Sequence, residues 1–364
     1  MSGEPAGQVA GIEARLKDIR TRFAKLGRRT VKLMEVCGTH TMSIARSGLR
    51  ELLPEGLELI SGPGCPVCVT PTGYVDAAIE LARRPEVIIT TFGDMVRVPG
   101  RSTTLERIKG EGADVRIVYS PMKSLEIAAE TPERTVVFLG VGFETTAPAT
   151  ATLVKTAAEL ETENFVMLGA HKLIPPALRA ICSDDELAVD GFLLPGHVSV
   201  VIGAEPYGFV ADEFNRPCTI TGFEPEDVLE AAAMLLEQML AGKAEVQNQY
   251  RRVVHAEGNP TARERTREVY EVSTACWRGL GEVPQSGLEV RTRYAKWEAK
   301  RRFEIEIRTE EPETGCRCGD VLRGKAHPRE CPLFGSRCTP ATAVGPCMVS
   351  SEGACAASYR YEQI

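Results

Sequence analysis

The sequence has no apolar run approaching the roughly 20 residues a membrane helix needs, which excludes a helical membrane span. Its first twenty residues, MSGEPAGQVAGIEARLKDIR, carry charges every few positions and no apolar centre, so they do not read as a secretion signal. Basic residues are outnumbered, with a net charge of -7, and no lysine/arginine stripe with interleaved aromatics occurs. That argues against a nucleic-acid partner. No P-loop is present. The glycines of Gly140-Val-Gly142-Phe-Glu144 stop short of a dinucleotide fingerprint, because Thr145 stands where G-x-G-x-x-G needs its last glycine. A second C-x-x-C, which a zinc knuckle built on Cys65 and Cys68 would need, is also missing.

What is abundant is cysteine. Twelve occur in 364 residues, within an otherwise ordinary composition of 43% hydrophobic and 26% charged residues. The length allows two or three domains and a core that needs no covalent staples. In the expected cytoplasmic setting, closely spaced cysteines point to metal binding or redox work more than to structural disulfides. Cys37, Cys65 and Cys68 lie early, Cys182, Cys218 and Cys276 are isolated, and six fall in the last fifty residues. The isolated three read as packing residues.

Apolar spacing predicts a helix over 11–25 and a strand over 30–36. Further strands are expected at 57–60, 87–92, 115–119, 136–141, 165–168 and 192–194, alternating with helices at 74–84, 122–130, 146–160 and 176–183. Short apolar strands alternating with helices predict an α/β fold with covered parallel sheets. AIELARRPEVIITTFGDMVRVPG and SLEIAAETPERTVVFLGVGFETTAP share a helix, a proline, an apolar strand and a glycine turn with an acidic residue. This repeat suggests two similar halves facing each other. A long helix follows at 225–243, then a charged and mostly helical stretch over 244–310. Beyond 311 the chain is too rich in Gly, Pro and Cys to form an aliphatic core.

That tail contains Cys316-Arg-Cys318, Cys331-Pro-Leu-Phe-Gly-Ser-Arg-Cys338, Gly345-Pro-Cys347 and Glu352-Gly-Ala-Cys355. The spacings are C-x-C and C-x6-C, unlike zinc knuckles, whereas a cubane iron–sulfur cluster needs four thiolates at irregular spacing. Cys331, Cys338 and Cys355 are the first choices as ligands, Cys318 or Cys347 the fourth, Cys316 the bystander and His327 a surface residue. Upstream, Cys37-Gly-Thr39-His40 ends a strand and puts a thiol and an imidazole within reach of one metal. Cys65-Pro-Val-Cys68 has the spacing of a redox dithiol, with its first thiol expected at a helix N-terminus. Glu144 and His197 also follow strands, the place where open α/β sheets bind ligands. His171, similarly placed, is less persuasive.

Together MEVCGTHTMSIARSGL, ISGPGCPVCVTP, GVGFETTAP, LPGHVSVVIG, CPLFGSRCTP and GPCMVSSEGAC resemble the HypD family of nickel–iron hydrogenase maturation proteins, from about residue 30 to 360. The resemblance implies two similar α/β domains, 53–125 and 126–222, enclosing a cleft. It also implies a third, mostly helical and irregular domain, 1–52 with 223–364, that carries a 4Fe-4S cluster. Its implied role is a scaffold on which iron, held by Cys37 and a cysteine of the small partner HypC, receives cyanide and carbon monoxide before delivery to the hydrogenase large subunit. HypE would supply the cyanide, and the chain would be a monomer that enters heteromeric complexes. Thr39 and His40 would stand beside the iron, Cys65 and Cys68 would form a redox pair between iron and cluster, and Glu144 would manage protons. The alternatives are an iron–sulfur-dependent reductase of protein disulfides and a purely structural binding module.

Overall fold

A computed structural model describes residues 4–362. Two parallel sheets organise the chain. The first contains β1 (Val31–Glu35), β2 (Leu57–Ser61), β7 (Gly191–Pro195), β8 (Cys218–Thr221) and β9 (Val246–Asn248), in the order β2-β1-β7-β8-β9. The second contains β3 (Val87–Thr91), β4 (Val115–Ile117), β5 (Thr135–Gly142) and β6 (Phe165–His171), in the order β4-β3-β5-β6. Every pairing within both sheets is parallel. β3 and β7 are buried at every position, which is why they read as unbroken apolar runs and not as alternation. The α/β expectation is met.

Sheet membership cuts across the expected division at 53–125 and 126–222. β2 pairs with β1 rather than β3, while β3 and β5, from opposite sides of that division, are hydrogen-bonded neighbours with Val87 opposite Thr135. The chain lays down β1 and β2, builds the whole second sheet, and returns through β7 to the far side of β1. The two repeat copies are therefore side-by-side strand units of one sheet, joined through the Lys123–Glu130 helix, and do not face each other. Consecutive β–α–β units favour adjacent strands because the crossover helix packs back on the sheet it came from.

The stretch over 244–310 departs further. Besides the Pro260–Val269 helix it holds β9 and an antiparallel hairpin, β10 (Tyr270–Trp277) with β11 (Gly281–Val290). Much of that hairpin is exposed, so its polar positions mask the strand period. Its turn uses Gly279 and Gly281 at φ 85° and 73°, a region side chains avoid.

The Glu4–Leu26 and Pro225–Ala241 helices share a core through Leu16, Ile19, Leu229 and Leu236. A larger core runs continuously from the first sheet (Val36, Leu194, Ile220) through the second (Ile89, Val137, Leu168) into the tail (Cys318, Cys338, Cys347, Met348). The tail is thus packed on the sheets through sulfur-bearing side chains. Among the described residues no helix is long and apolar enough to cross a membrane.

Candidate functional site

The first sheet presents the carboxyl ends of β1, β2, β7 and β8 side by side, and the loops that follow them carry most of the predicted residues. Cys37 is the N-cap of the Gly38–Arg46 helix, with extended backbone at φ -148° and ψ 124°. Its sulfur makes no cap hydrogen bond, although the nearby backbone N–H groups of Thr39 and His40 favour its charged form. Helix polarity favours the thiolate, but burial pushes the thiol up to about 12, and the Glu352 carboxylate adds to the effect. The group therefore stays protonated at neutral pH unless a metal ion displaces the proton. Glu35 supports the loop from beneath: fully buried, it accepts the Cys37 N–H at 3.2 Å and the Thr41 hydroxyl. Burial raises that carboxyl to about 7.

His40 holds the Gly222 carbonyl at 2.9 Å through Nε2. A carbonyl only accepts, so Nε2 carries the proton and Nδ1 is a bare lone pair. Among the described residues that buried Nδ1 has no partner. Burial lowers the imidazole to about 4, so it stays neutral and able to ligate. His197, in the helix Gly196–Ile202 after β7, stacks on Phe223 at 3.9 Å, and Phe223 meets the His40 ring at 4.9 Å. Thr39 donates to Glu352 at 2.7 Å. The structure thus brings Cys37, Thr39, His40 and His197 to one edge of the sheet.

Glu144 lies elsewhere, after β5 in the second sheet. Its Oε1 accepts the Ile174 N–H at 2.9 Å, and its buried Oε2 has no partner among the described residues. Burial raises the carboxyl to about 8, so it is neutral at pH 7. Its link to the Cys37 side is indirect: the buried Tyr207 phenol feels the charge of both. Because the folded value lies above the ordinary 4.5, the stability Glu144 contributes is complete below about 4.5 and is lost as pH rises through about 8. Glutamine copies the protonated form. Glu144→Gln should therefore gain on the natural protein with rising pH, with a slope approaching about 1.4 kcal/mol per pH unit. Urea unfolding of both at several pH values would test this, and parallel curves would refute it.

Cys65 and Cys68 lie in a turn after β2, short of the helix that starts at Thr72. The expected helix N-terminus is absent, and the Cys68 N–H caps Cys65 Sγ instead, at 3.2 Å. Both are free thiols. Cys65 Sγ is 3.2 Å from the Ser350 hydroxyl of the tail, and Cys347 stands close enough to the Cys68 thiol to shift its titration. Cys347 in turn lies 2.8 Å from Cys318. This line of sulfur connects the dithiol to the tail.

Cys316, Cys318, Cys331, Cys338, Cys347 and Cys355 line one cavity. The C-x6-C loop folds back as anticipated: Gly335 at φ 69° lets its N–H reach the Cys338 carbonyl at 3.1 Å, and the Cys338 N–H reaches Leu333 at 2.8 Å. Cys355 is electrostatically coupled to Cys316, Cys338 and Cys331, and Cys318 and Cys347 are coupled to Cys355 as well as to each other. Cys316, expected as a bystander, lines the cavity with the others. Among the described residues no three His, Cys, Asp or Glu groups converge on a single ion. His327 is on the surface, paired with Glu362 at 3.3 Å. Cys218 is buried, and Cys182 and Cys276 are half-buried away from these loops.

Three acidic residues escaped sequence reasoning: Glu35, described above, Glu352 and Asp94. Glu352 sits against Gly38, where a Cβ would be 2.4 Å from its own Cβ, so Gly38 is what admits the carboxylate beside Cys37. Asp94, after β3, accepts from the Ser351 N–H and hydroxyl at 2.7 Å each and so anchors the tail loop. A lone acid in a loop carries no spacing signal. The only hints were the acidic glycine turn of the repeat and the nearness of Glu352 to Cys355.

A family profile described as "Hydrogenase formation hypA family", under the heading HypD, matches residues 11–362. The chain is 46% identical over 357 residues to the hydrogenase maturation factor HypD of Escherichia coli (strain K12), covering 98% of this chain and 96% of that protein. It is 49% identical over 340 residues to the hydrogenase expression/formation protein HupD of Azotobacter chroococcum mcd 1, covering 92% and 90%. To the HypD of Rhodobacter capsulatus it is 45% identical over 357 residues, covering 96% and 94%. With the motif-bearing loops gathered at one sheet edge and the match running almost end to end, the chain belongs to the HypD family.

Proposed function

We propose that the protein serves hydrogenase maturation as the scaffold on which iron acquires cyanide and carbon monoxide. The observation that carries this reading is the buried Cys37 thiol at the start of a helix together with the neutral Nδ1 of His40, unpartnered among the described residues. These are two donors on one helical turn, suited to an iron cargo shared with a cysteine of a HypC-type partner. HypE would provide cyanide, and the hydrogenase large subunit would receive the product. Glu352, through Thr39, and Glu35, through the Cys37 N–H, hold the loop in place.

The tail cavity suits a 4Fe-4S cluster. Its thiols are buried with their pKa values driven up by burial and by one another, so a cationic iron centre is the natural counter-charge for their thiolates. Cys331, Cys338 and Cys355 would hold it together with one of Cys316, Cys318 and Cys347, all three of which line the same cavity and lie close to Cys355. Such a cluster supplies single electrons when bound. Cys347 and Cys318 connect that region to Cys68, and the Cys65–Cys68 dithiol would store two electrons next to Cys37. Cys65 and Cys68, 3% and 0% exposed, are too deep for a protein disulfide to attack, which weighs against the disulfide-reductase alternative.

Alanine at Cys331, Cys338 or Cys355 should each remove essentially all iron and acid-labile sulfide from anaerobically prepared protein, and whichever of the Cys316, Cys318 and Cys347 alanine variants does the same identifies the fourth ligand. Retention of iron and sulfide without Cys331, Cys338 or Cys355 would overturn this ligand set. The scaffold itself is tested by infrared spectroscopy on the protein co-purified with its small partner.

A further inference from the structure

Lys172 directly follows β6, and its backbone is pinned on both sides. Its N–H donates to the Gly142 carbonyl at 3.0 Å, and the next N–H, of Leu173, to Ser286 at 2.9 Å. The side chain is 3% exposed. Its ammonium lies 5.9 Å from the Trp277 ring centroid, and among the described residues no carboxylate or carbonyl pairs with it. Lysine is almost never buried in this way without a counter-charge, because the ion loses its hydration and gains nothing in return. Burial lowers it to about 8, and Lys300 and Arg278 push in the same direction while Cys276 opposes them.

The side chain lines a cavity of about 150 Å³ at the carboxyl end of the second sheet, the side on which open α/β sheets take ligands. The hairpin β10–β11 forms one wall, and the extended segment carrying Ile307 and Thr309 forms another. Lys300 contributes a second ammonium, held at 3.3 Å by Glu289, and Ser273 and Thr274 contribute hydroxyls. Gly287 faces Ser273 across the hairpin, and a Cβ there would stand 2.9 Å from the Ser273 oxygen, so the glycine leaves the serine room. At about 30 Å³ per water in the liquid, the space holds a phosphate or a short carboxylate but not a nucleotide.

We propose that this cavity binds a small oxyanion, phosphate or carboxylate, between the ammonium groups of Lys172 and Lys300, with the Ser273 and Thr274 hydroxyls donating. The anion supplies the counter-charge that Lys172 lacks, and among the described residues Glu289, already engaged with Lys300, is the one carboxylate lining the cavity. None of these residues belongs to the sulfur-bearing loops, so the site is independent of the iron chemistry.

Calorimetric titration of the full-length protein with inorganic phosphate, and separately with acetate, tests this. Saturable binding of at least one is expected, and which one identifies the oxyanion class. Lys172→Met should weaken it by roughly tenfold or more and Lys300→Met by roughly threefold, as loss of a buried and of a half-exposed charge-assisted contact implies. Methionine keeps the volume of the lysine stem, so the variant should fold. As a second readout, the anion should raise the melting temperature of the natural protein and leave that of Lys172→Met unchanged. Absence of binding by both anions, or binding and thermal shifts equal in Lys172→Met, would overturn the proposal and leave Lys172 a buried lysine beside the Trp277 ring.

Discussion

Cys37→Ala is expected to eliminate the cyanide and carbon monoxide stretching bands from the protein co-purified anaerobically with its small partner. The thiol is the buried donor at the helix start, and neither Thr39, committed to Glu352, nor His40, a single imidazole, can replace a thiolate. The loss should not come from unfolding. Removing one buried sulfur costs on the order of 1 kcal/mol, and the Glu35 carboxylate still holds the residue 37 N–H. An intact unfolding midpoint with absent bands would therefore locate the iron. Bands of natural intensity in the variant would remove Cys37 from the chemistry and the scaffold reading with it.

Gly64→Ala should be strongly damaging. A Cβ there would stand 2.2 Å from the Cys37 nitrogen, 2.4 Å from its Cα and 2.5 Å from the Val36 carbonyl carbon. All three are backbone atoms and cannot rotate away. The Gly38 N–H to Gly64 carbonyl bond, 2.9 Å, ties the two loops at the same place. Overpacking of this kind costs about 3 kcal/mol or more. Here the displaced backbone also carries Cys37, so iron retention should fall along with the urea midpoint. Gly110→Ala is the control: it closes a surface helix, nothing lies within 4 Å of its added Cβ, and it should be neutral or stabilising by about 0.5–1 kcal/mol. If Gly64→Ala unfolds at the same urea concentration as the natural protein, the two loops are not packed as described.

Strand positions were legible where burial on both faces coincides with a mostly apolar run, as in β3, β5 and β7. β8 and β9, with threonine, glutamine and asparagine among so few residues, and the half-exposed hairpin were not. Helical periodicity survived even at the chain start, where the predicted 11–25 lies inside Glu4–Leu26. The identities of Cys37, His40, Cys65, Cys68 and the six tail cysteines were legible too, because sulfur in dense, irregular clusters has few other uses in a reducing compartment.

What amino-acid order alone determined was therefore the class of fold, the inventory of thiols and the loops that carry them. Periodicity and composition are local, and each survives in a string of letters. Tertiary structure alone decided that β7 returns beside β1, which brings His197 to the edge that holds Cys37. It also decided that Cys68 lies by Cys347 across 279 positions, that Cys316 lines one cavity with the other five tail cysteines, and that Glu352 fits over Gly38. Such pairings depend on which buried surfaces meet once the sheets are assembled, and that is a property of the packed core as a whole.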